Sequence, residues 1–147
     1  MPNPNDATLV VRRVIAAPAA RLFAAWTEPA HLVAWFGPAG VRCLGAEVDL
    51  RVGGAYSLRN GMPDGSELVI AGTFERIEPP HRLVYSWSVG DEPPSRVTVE
   101  FTAHPGGTEV IVTHDRIASR ALRDGHERGW IGCIDRLAIH IQATLPA

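Results

Sequence analysis

A chain of 147 residues with 46% hydrophobic and 20% charged side chains has the size of one globular domain that buries a core without metals or cross-links. Its formal charge of −2, with fourteen Arg and no Lys as cations, offers no basic field to a nucleic-acid backbone or an anionic membrane. Cys43 and Cys133 lie far apart, the start MPNPNDATLV lacks a basic-then-apolar leader pattern, and no apolar run nears the ~18 residues of a membrane span, so reduced thiols in a cytoplasmic protein are expected.

LVVRRVIAA (9–17) is a β-branched run closed by Pro18, a favourable first-turn residue, which predicts a strand followed by a helix. PAARLFAAW (18–26) spaces Leu22, Phe23 and Trp26 at helical intervals, and PAHLVAWF (29–36) forms a second short helix that Gly37-Pro38 ends. From 44 to 115 the period drops to two. GAEVDLRV, AYSLRN, ELVIAGTFERI, RLVYSWSV, RVTVEFTA and TEVIVTHD predict six more strands, and their short Gly-, Pro- and Asp-rich separators favour antiparallel hairpins. Residues 119–145 carry Leu122, Trp130, Ile134, Leu137 and Ile141 on one stripe, with Ser119 as N-cap: a long C-terminal helix. With no repeat or linker, 1–147 reads as a single α+β domain. A seven-stranded sheet needs its apolar face covered, and the one long helix is the available cover, so the sheet should curl around it.

This order, with AAPAARLFAAWTEPAHLVAWFGP near the start, VDLRVGG before the first hairpin, GTFERIEPPHRLVYSW in the middle and HERGWIGCIDRL at the end, resembles the AHSA1-like branch of the START/Bet v 1 (SRPBCC) superfamily over residues 10–141. The resemblance implies a helix-grip fold, in which the curved sheet wraps the C-terminal helix and leaves a cavity between them. It also implies company that includes ligand carriers and aromatase/cyclase relatives. The branch is named for a domain of the Hsp90 ATPase activator, which there follows a separate Hsp90-binding domain. Here the first strand begins near residue 9, so the fold is expected without the cochaperone role.

On a helical wheel His126, Trp130, Cys133 and Leu137 fall within about 60° of one another, with His140 at the edge of the arc. A buried imidazole without a partner costs roughly 1–3 kcal/mol, so His126 is either a core histidine bonded to a strand group or a cavity group that contacts ligand or moves protons. His126, Cys133 and His140 are spaced by seven, roughly 10 Å apart along the axis, too far to share an ion with ~2 Å bonds; no metal site is expected. His114 ends the last strand and can approach the helix start, while His31, His81 and His104 read as surface residues. Gly129 and Gly132 each cost a helix interior about 1 kcal/mol, which suggests close helix–sheet packing or a widened cavity beside Trp130, and Gly125 suggests a bend where the helix proper begins.

Alternation places Leu83, Tyr85, Trp87 and Val89 on the concave face, with Val97, Val99, Phe101, Val110 and Val112, and with Tyr56 beside Leu58. One of Trp35 and Phe36 is expected to cap the cavity mouth. The predicted lining is therefore Trp35, Phe36, Tyr56, Tyr85, Trp87, Val99, Phe101, His126, Trp130, Cys133 and Leu137. It is an apolar pocket with scattered donors that suits a small apolar or aromatic molecule, unless the same residues close-pack as ordinary core. Asp49 and Arg51 read as a solvated or mutually paired strand face, and Gly53-Gly54 as hairpin geometry. Cys133 is expected to be a buried, unreactive thiol. No catalytic residue is assigned; His126 and Glu67, which begins a core strand near the pocket mouth, are the candidates. The reading is a ligand-binding domain with no cofactor, nucleic-acid or membrane partner and a possible homodimer. The alternatives are a cavity-type cyclase, dehydratase or lyase that uses His126 or a tyrosine, and a protein–protein module.

Overall fold

Alternating β-branched and aromatic residues with tight Gly/Pro turns leave this chain one economical arrangement, a meander. A computed structural model describes residues 7–38 and 40–144. Over these the order is β1 (Ala7–Ile15), α1 (Ala19–Thr27), α2 (Pro29–Trp35), β2 (Arg42–Val48), β3 (Ala55–Gly61), β4 (Glu67–Glu78), β5 (Arg82–Val89), β6 (Ser95–His104), β7 (Gly107–Ile117) and α3 (Arg120–Thr144). The seven strands form one antiparallel sheet in the order β1-β7-β6-β5-β4-β3-β2. Successive hairpins build β2 to β7, and β1 closes on β7. The expected α+β helix-grip fold is the one observed: a curved seven-stranded sheet, two short helices after the first strand, and a long C-terminal helix.

The curl has local causes. Register shifts at Cys43/Gly45 in β2 and Phe74/Arg76 in β4 insert extra residues that bend their strands. Between β4 and β5 the backbones approach so closely at Gly72 that a Cβ there would lie 2.1 Å from the Ser86 carbonyl oxygen, a spacing that only glycine permits.

One strand ends earlier than its pattern predicts. GAEVDLRV reads as continuous, but β2 stops at Val48 and Asp49–Val52 form the turn, leaving Leu50 and Val52 exposed. The Gly54 N–H donates to the Arg51 carbonyl at 2.8 Å, and a Cβ on Gly54 would sit 2.1 Å from the Asp49 carbonyl oxygen. The tight turn thus ends the regular ladder, leaving the Asp49 N–H to donate to the Ala55 carbonyl at 2.9 Å, and the Asp49–Arg51 ion pair at 2.8 Å spans it.

α3 starts where its cap predicts: the Leu122 N–H donates to Ser119 Oγ at 3.2 Å. The expected bend at Gly125 is absent, since α3 runs unbroken from Arg120. Arg123 grips Glu127 one turn on with two bonds of 3.0 and 3.1 Å and also bonds Asp124, support that offsets the glycine's low propensity in this first stretch. Trp130, Cys133, Ile134, Leu137 and Ile141 form the buried stripe. Position 145, the expected last helical residue, lies outside the described residues.

α1 and α2 cover the far end of the concave face with an aromatic cluster. Trp26 lies 4.9 Å from Trp35, 5.9 Å from Phe101 and 6.0 Å from Trp130 between ring centroids, so the indole of α1 touches α2, the sheet and α3 together. His31 proves not to be a free surface residue. Its Nδ1 lies 2.8 Å from Nε2 of His140, joining α2 to α3, and burial first, then the charges of His31 and Arg21, hold the His140 pKa below the ordinary imidazole value. His81 and His104 are exposed as expected. Among the described residues no helix is long and apolar enough to cross a membrane.

The connection from α2 to β2 is clasped by Arg136 of α3, whose Nη1 donates to the carbonyls of Gly37 (2.9 Å), Pro38 (3.2 Å) and Val41 (2.6 Å). Replacing Arg136 with Met keeps the stem and removes all three bonds. The expected outcome is a loss of about 1–3 kcal/mol in urea unfolding, with faster hydrogen exchange at the Val41 amide and little change at core strand amides.

Candidate functional site

Where the N-terminal half of α3 passes over β3, β4 and β5, the two layers do not meet, and a cavity of about 170 Å³ remains. The sheet contributes Asn60, Leu68, Ile70, Trp87 and Val89; the loops add Phe36–Pro38, Val41, Met62 and Glu92; and α3 presents Gly125, His126, Gly129, Trp130 and Cys133. Two periodicities make this lining: alternate residues of the strands, and the 3.6-residue repeat that brings 126, 129, 130 and 133 onto one face.

Of the residues expected to line a pocket, Phe36, Trp87, His126, Trp130 and Cys133 border this cavity. Tyr56 and Tyr85 face a separate hollow of about 20 Å³ with Trp26 and Phe74, which Phe36 also borders. Trp35 caps nothing. It is fully buried, and its N–H donates to the Ala25 carbonyl at 2.9 Å. Val99, Phe101 and Leu137 are close-packed core, Phe101 held edge-on to Phe23 at 6.1 Å, because α1 rests on β6 and fills that end. Glu67 is exposed beside Arg59 at 3.7 Å and outside the lining. The carboxylate that meets His126 is instead Glu92, in the β5–β6 loop, with Oε1 2.7 Å from Nε2.

Asn60 was legible, since it continues the inward parity of Tyr56 and Leu58. His114 likewise follows Val110 and Val112. Glu92 carries no periodic signal because it lies in a loop.

Behind the cavity wall His114 is completely buried. The Trp130 N–H donates to its Nδ1 at 3.1 Å, so Nδ1 is the acceptor, and the proton sits on Nε2, which bonds Ser95 Oγ at 2.7 Å. Burial, then the neighbouring His126 at 5.0 Å between rings, lowers the His114 pKa to about 3, with Asp115 opposing. An imidazole that burial keeps neutral near neutral pH thus anchors Trp130 while its neighbour His126 meets a carboxylate at the cavity edge.

The remaining groups offer no nucleophile. Burial pushes the Cys133 thiol up to about 12, against a lowering bond from the Gly37 N–H at 3.1 Å. Burial also raises both tyrosines; Tyr56 donates to the Ser86 carbonyl at 2.7 Å, and Tyr85 accepts from the Trp26 N–H at 3.1 Å. Among the described residues no group of three metal-ligating side chains converges.

Gly125 and Gly129 have a different role at the cavity from close packing. A Cβ built on Gly129 would meet nothing within 4 Å, and Gly125 only the tip of Arg128 at 4.0 Å. Both border the cavity, so here the missing side chains leave volume open.

A curved antiparallel sheet closed by one long helix, with unfilled volume between them, defines a helix-grip domain. The chain belongs to the family of activator of Hsp90 ATPase homolog 1-like proteins, whose model matches residues 16–142. Solved structures agree. A protein from Chromobacterium violaceum is 26% identical with a TM-score of 0.84, over 95% of this chain and 98% of its own. An AHSA1-like protein from Aeromonas hydrophila is 28% identical with a TM-score of 0.77, over 93% of each chain. The AHSA1 protein from Silicibacter pomeroyi, 23% identical with a TM-score of 0.85 over 95% and 100%, shares the fold. No curated protein matches the chain significantly.

Two outcomes follow from this geometry. Gly129→Ala places its methyl in open space and is expected to raise stability by about 0.5–1 kcal/mol through helix propensity, read by urea unfolding; destabilisation would mean that the backbone is pressed against a neighbour after all. His114 has a native pKa near 3 against about 6.5 unfolded. Between these values the unfolded chain binds the extra proton, so stability falls as pH drops from about 6.5, by up to ~1.4 kcal/mol per pH unit. His114→Gln is expected to flatten that slope while costing about 1–3 kcal/mol at pH 7, measured as urea midpoints between pH 7 and 4.

Proposed function

We propose that this protein binds a small apolar or aromatic molecule, of about one ring, in the cavity between α3 and the β3–β5 surface. The observation that carries the reading is the cavity's size and lining together. At about 170 Å³ it resembles an engineered apolar cavity of about 150 Å³ that takes up benzene, and it falls below the ~300 Å³ at which drug-sized sites begin. Phe36, Trp87 and Trp130 supply aromatic wall, and Val41, Leu68, Ile70 and Val89 aliphatic wall. The SRPBCC fold commonly accommodates hydrophobic ligands, which supports the same reading.

A second reading, a cavity enzyme, is favoured by one contact. The 2.7 Å His126–Glu92 pair orients an imidazole beside the cavity in the manner of a base held by a carboxylate.

Toluene titrated into the protein is expected to quench or shift the fluorescence of Trp87 and Trp130 saturably and to raise the melting temperature with concentration. Gly129→Leu, which extends a side chain from the cavity edge, is expected to weaken toluene at least tenfold while the protein remains folded by circular dichroism. Unaltered binding in that variant, or no saturable binding of toluene, anisole or phenol in the parent, would remove the proposal. If the protein only binds, His126→Gln and Glu92→Gln leave toluene affinity within about threefold; if it is an enzyme, the same changes cut turnover of its substrate by about 10²–10⁴.

A further inference from the structure

Away from the cavity, two histidines meet across two helices. His31 of α2 and His140 of α3 approach nitrogen to nitrogen, Nδ1 to Nε2, at 2.8 Å, with their ring planes inclined at 71°. In a neutral imidazole one ring nitrogen is a donor and the other an acceptor, and in a charged one both are donors. With both rings neutral, one N–H donates to the lone pair of the other ring. With one ring charged the bond remains and gains the strength of a charged donor. With both charged, two N–H groups point at each other, and a like-charge repulsion replaces the bond.

The surroundings decide which ring carries the first charge. Glu28, the N-cap residue of α2, has Oε1 3.9 Å from Nε2 of His31, so a charge on His31 faces a carboxylate. From α1, Arg21 opposes a charge on His140, with its guanidinium held beside that ring by the Thr144 carbonyl at 2.6 Å and the Thr144 hydroxyl at 3.2 Å. Arg136, one turn before His140 on α3, is turned to the three loop carbonyls. Among the described residues β2, which packs on α2, makes no ion pair with either ring. His31 is therefore the donor and His140 the acceptor, in keeping with the lowered His140 pKa.

We propose that the His31–His140 contact is a proton-sensitive latch between α2 and α3, which keeps its bond through the first added proton and opens on the second. Its sign follows from proton counting. Apart, the two imidazoles each take up a proton near pH about 6.5, whereas the closed latch takes up one. Closing thus releases a proton, so the latch is complete above pH about 6.5 and weakens as pH falls below it, at most about tenfold per pH unit. α2 runs directly into Phe36, whose N–H donates to the Leu32 carbonyl at 2.9 Å and which borders the cavity. Opening the latch therefore loosens the last turn of α2 and, with it, one wall of the cavity.

Amide hydrogen exchange on the intact protein, expressed as protection so that the intrinsic pH dependence cancels, tests this at Leu32 and Phe36. Between pH about 7.5 and 5 their protection is expected to fall about tenfold relative to the Val99 and Val112 amides of the core strands. Ring carbon shifts followed by NMR are expected to show His140 charging last, together with that fall. His140→Gln offers the His31 N–H an acceptor that does not titrate, so the protection of α2 in this variant, whatever its level, should stay within about twofold across the same range. His114→Gln removes the other buried imidazole and should leave the fall at α2 in place. A parent whose α2 protection does not fall, an equal fall in His140→Gln, or a His140 that charges before His31 would overturn the latch.

Discussion

Trp130 sets the distance between helix and sheet. Its indole stacks on Trp26 at 6.0 Å with an interplanar angle of 18°, meets Phe36 edge-on at 6.3 Å and lies 5.4 Å from Trp87, while its N–H reaches into the sheet to His114. A ring of that volume, packed against three aromatic neighbours and fixed through its donor, acts as a spacer. The helix cannot settle onto β3–β5 without breaking the stack or orphaning the N–H. On one side of the spacer α1 and α2 fill the space; on the other, where α3 carries Gly125 and Gly129, nothing does, and the cavity is what remains.

The hydrogen bond behind the spacer constrains the chemistry as well as the geometry. Because Trp130 donates to Nδ1, His114 must be neutral and must hold its proton on Nε2, which in turn requires Ser95 as acceptor. β6, β7 and α3 are therefore joined through one imidazole that burial keeps uncharged. His126, with its ring 5.0 Å away, has the opposite setting: partly open to solvent and against the Glu92 carboxylate. Two adjacent histidines thus divide the work, one as structural acceptor and one as the polar group at the cavity edge.

Much of this was legible before any coordinates. Period-two runs with tight separators force a meander, and one amphipathic helix of sufficient length must cover it; parity placed Trp87 inward and the helical wheel placed His126, Trp130 and Cys133 together. Asn60 follows Tyr56 and Leu58, and His114 follows Val110 and Val112, yet a polar residue on an apolar face is readily discounted. What stayed hidden depended on tertiary placement. Glu92 reaches His126 from a loop whose path no pattern encodes, Val99 and Phe101 lost the cavity to α1, and a glycine in a helix has the same sequence signature whether a neighbour presses on it or a void lies beside it.

That last ambiguity bears on why the volume persists at all. Small unfilled spaces are costly because their lining atoms lose dispersion contacts, and the obvious remedy, a larger residue at position 129, would also improve the helix. The aromatic wall is bound to itself and to the two histidines through Trp87, which lies 5.2 Å from His114 and 6.0 Å from His126, so it is held from swinging across to the aliphatic wall of Leu68 and Ile70. Asn60 is held back in the same way by its two backbone carbonyls. Trp87, Trp130 and Asn60, which have the size or reach to fill the space, are each anchored elsewhere by a specific contact.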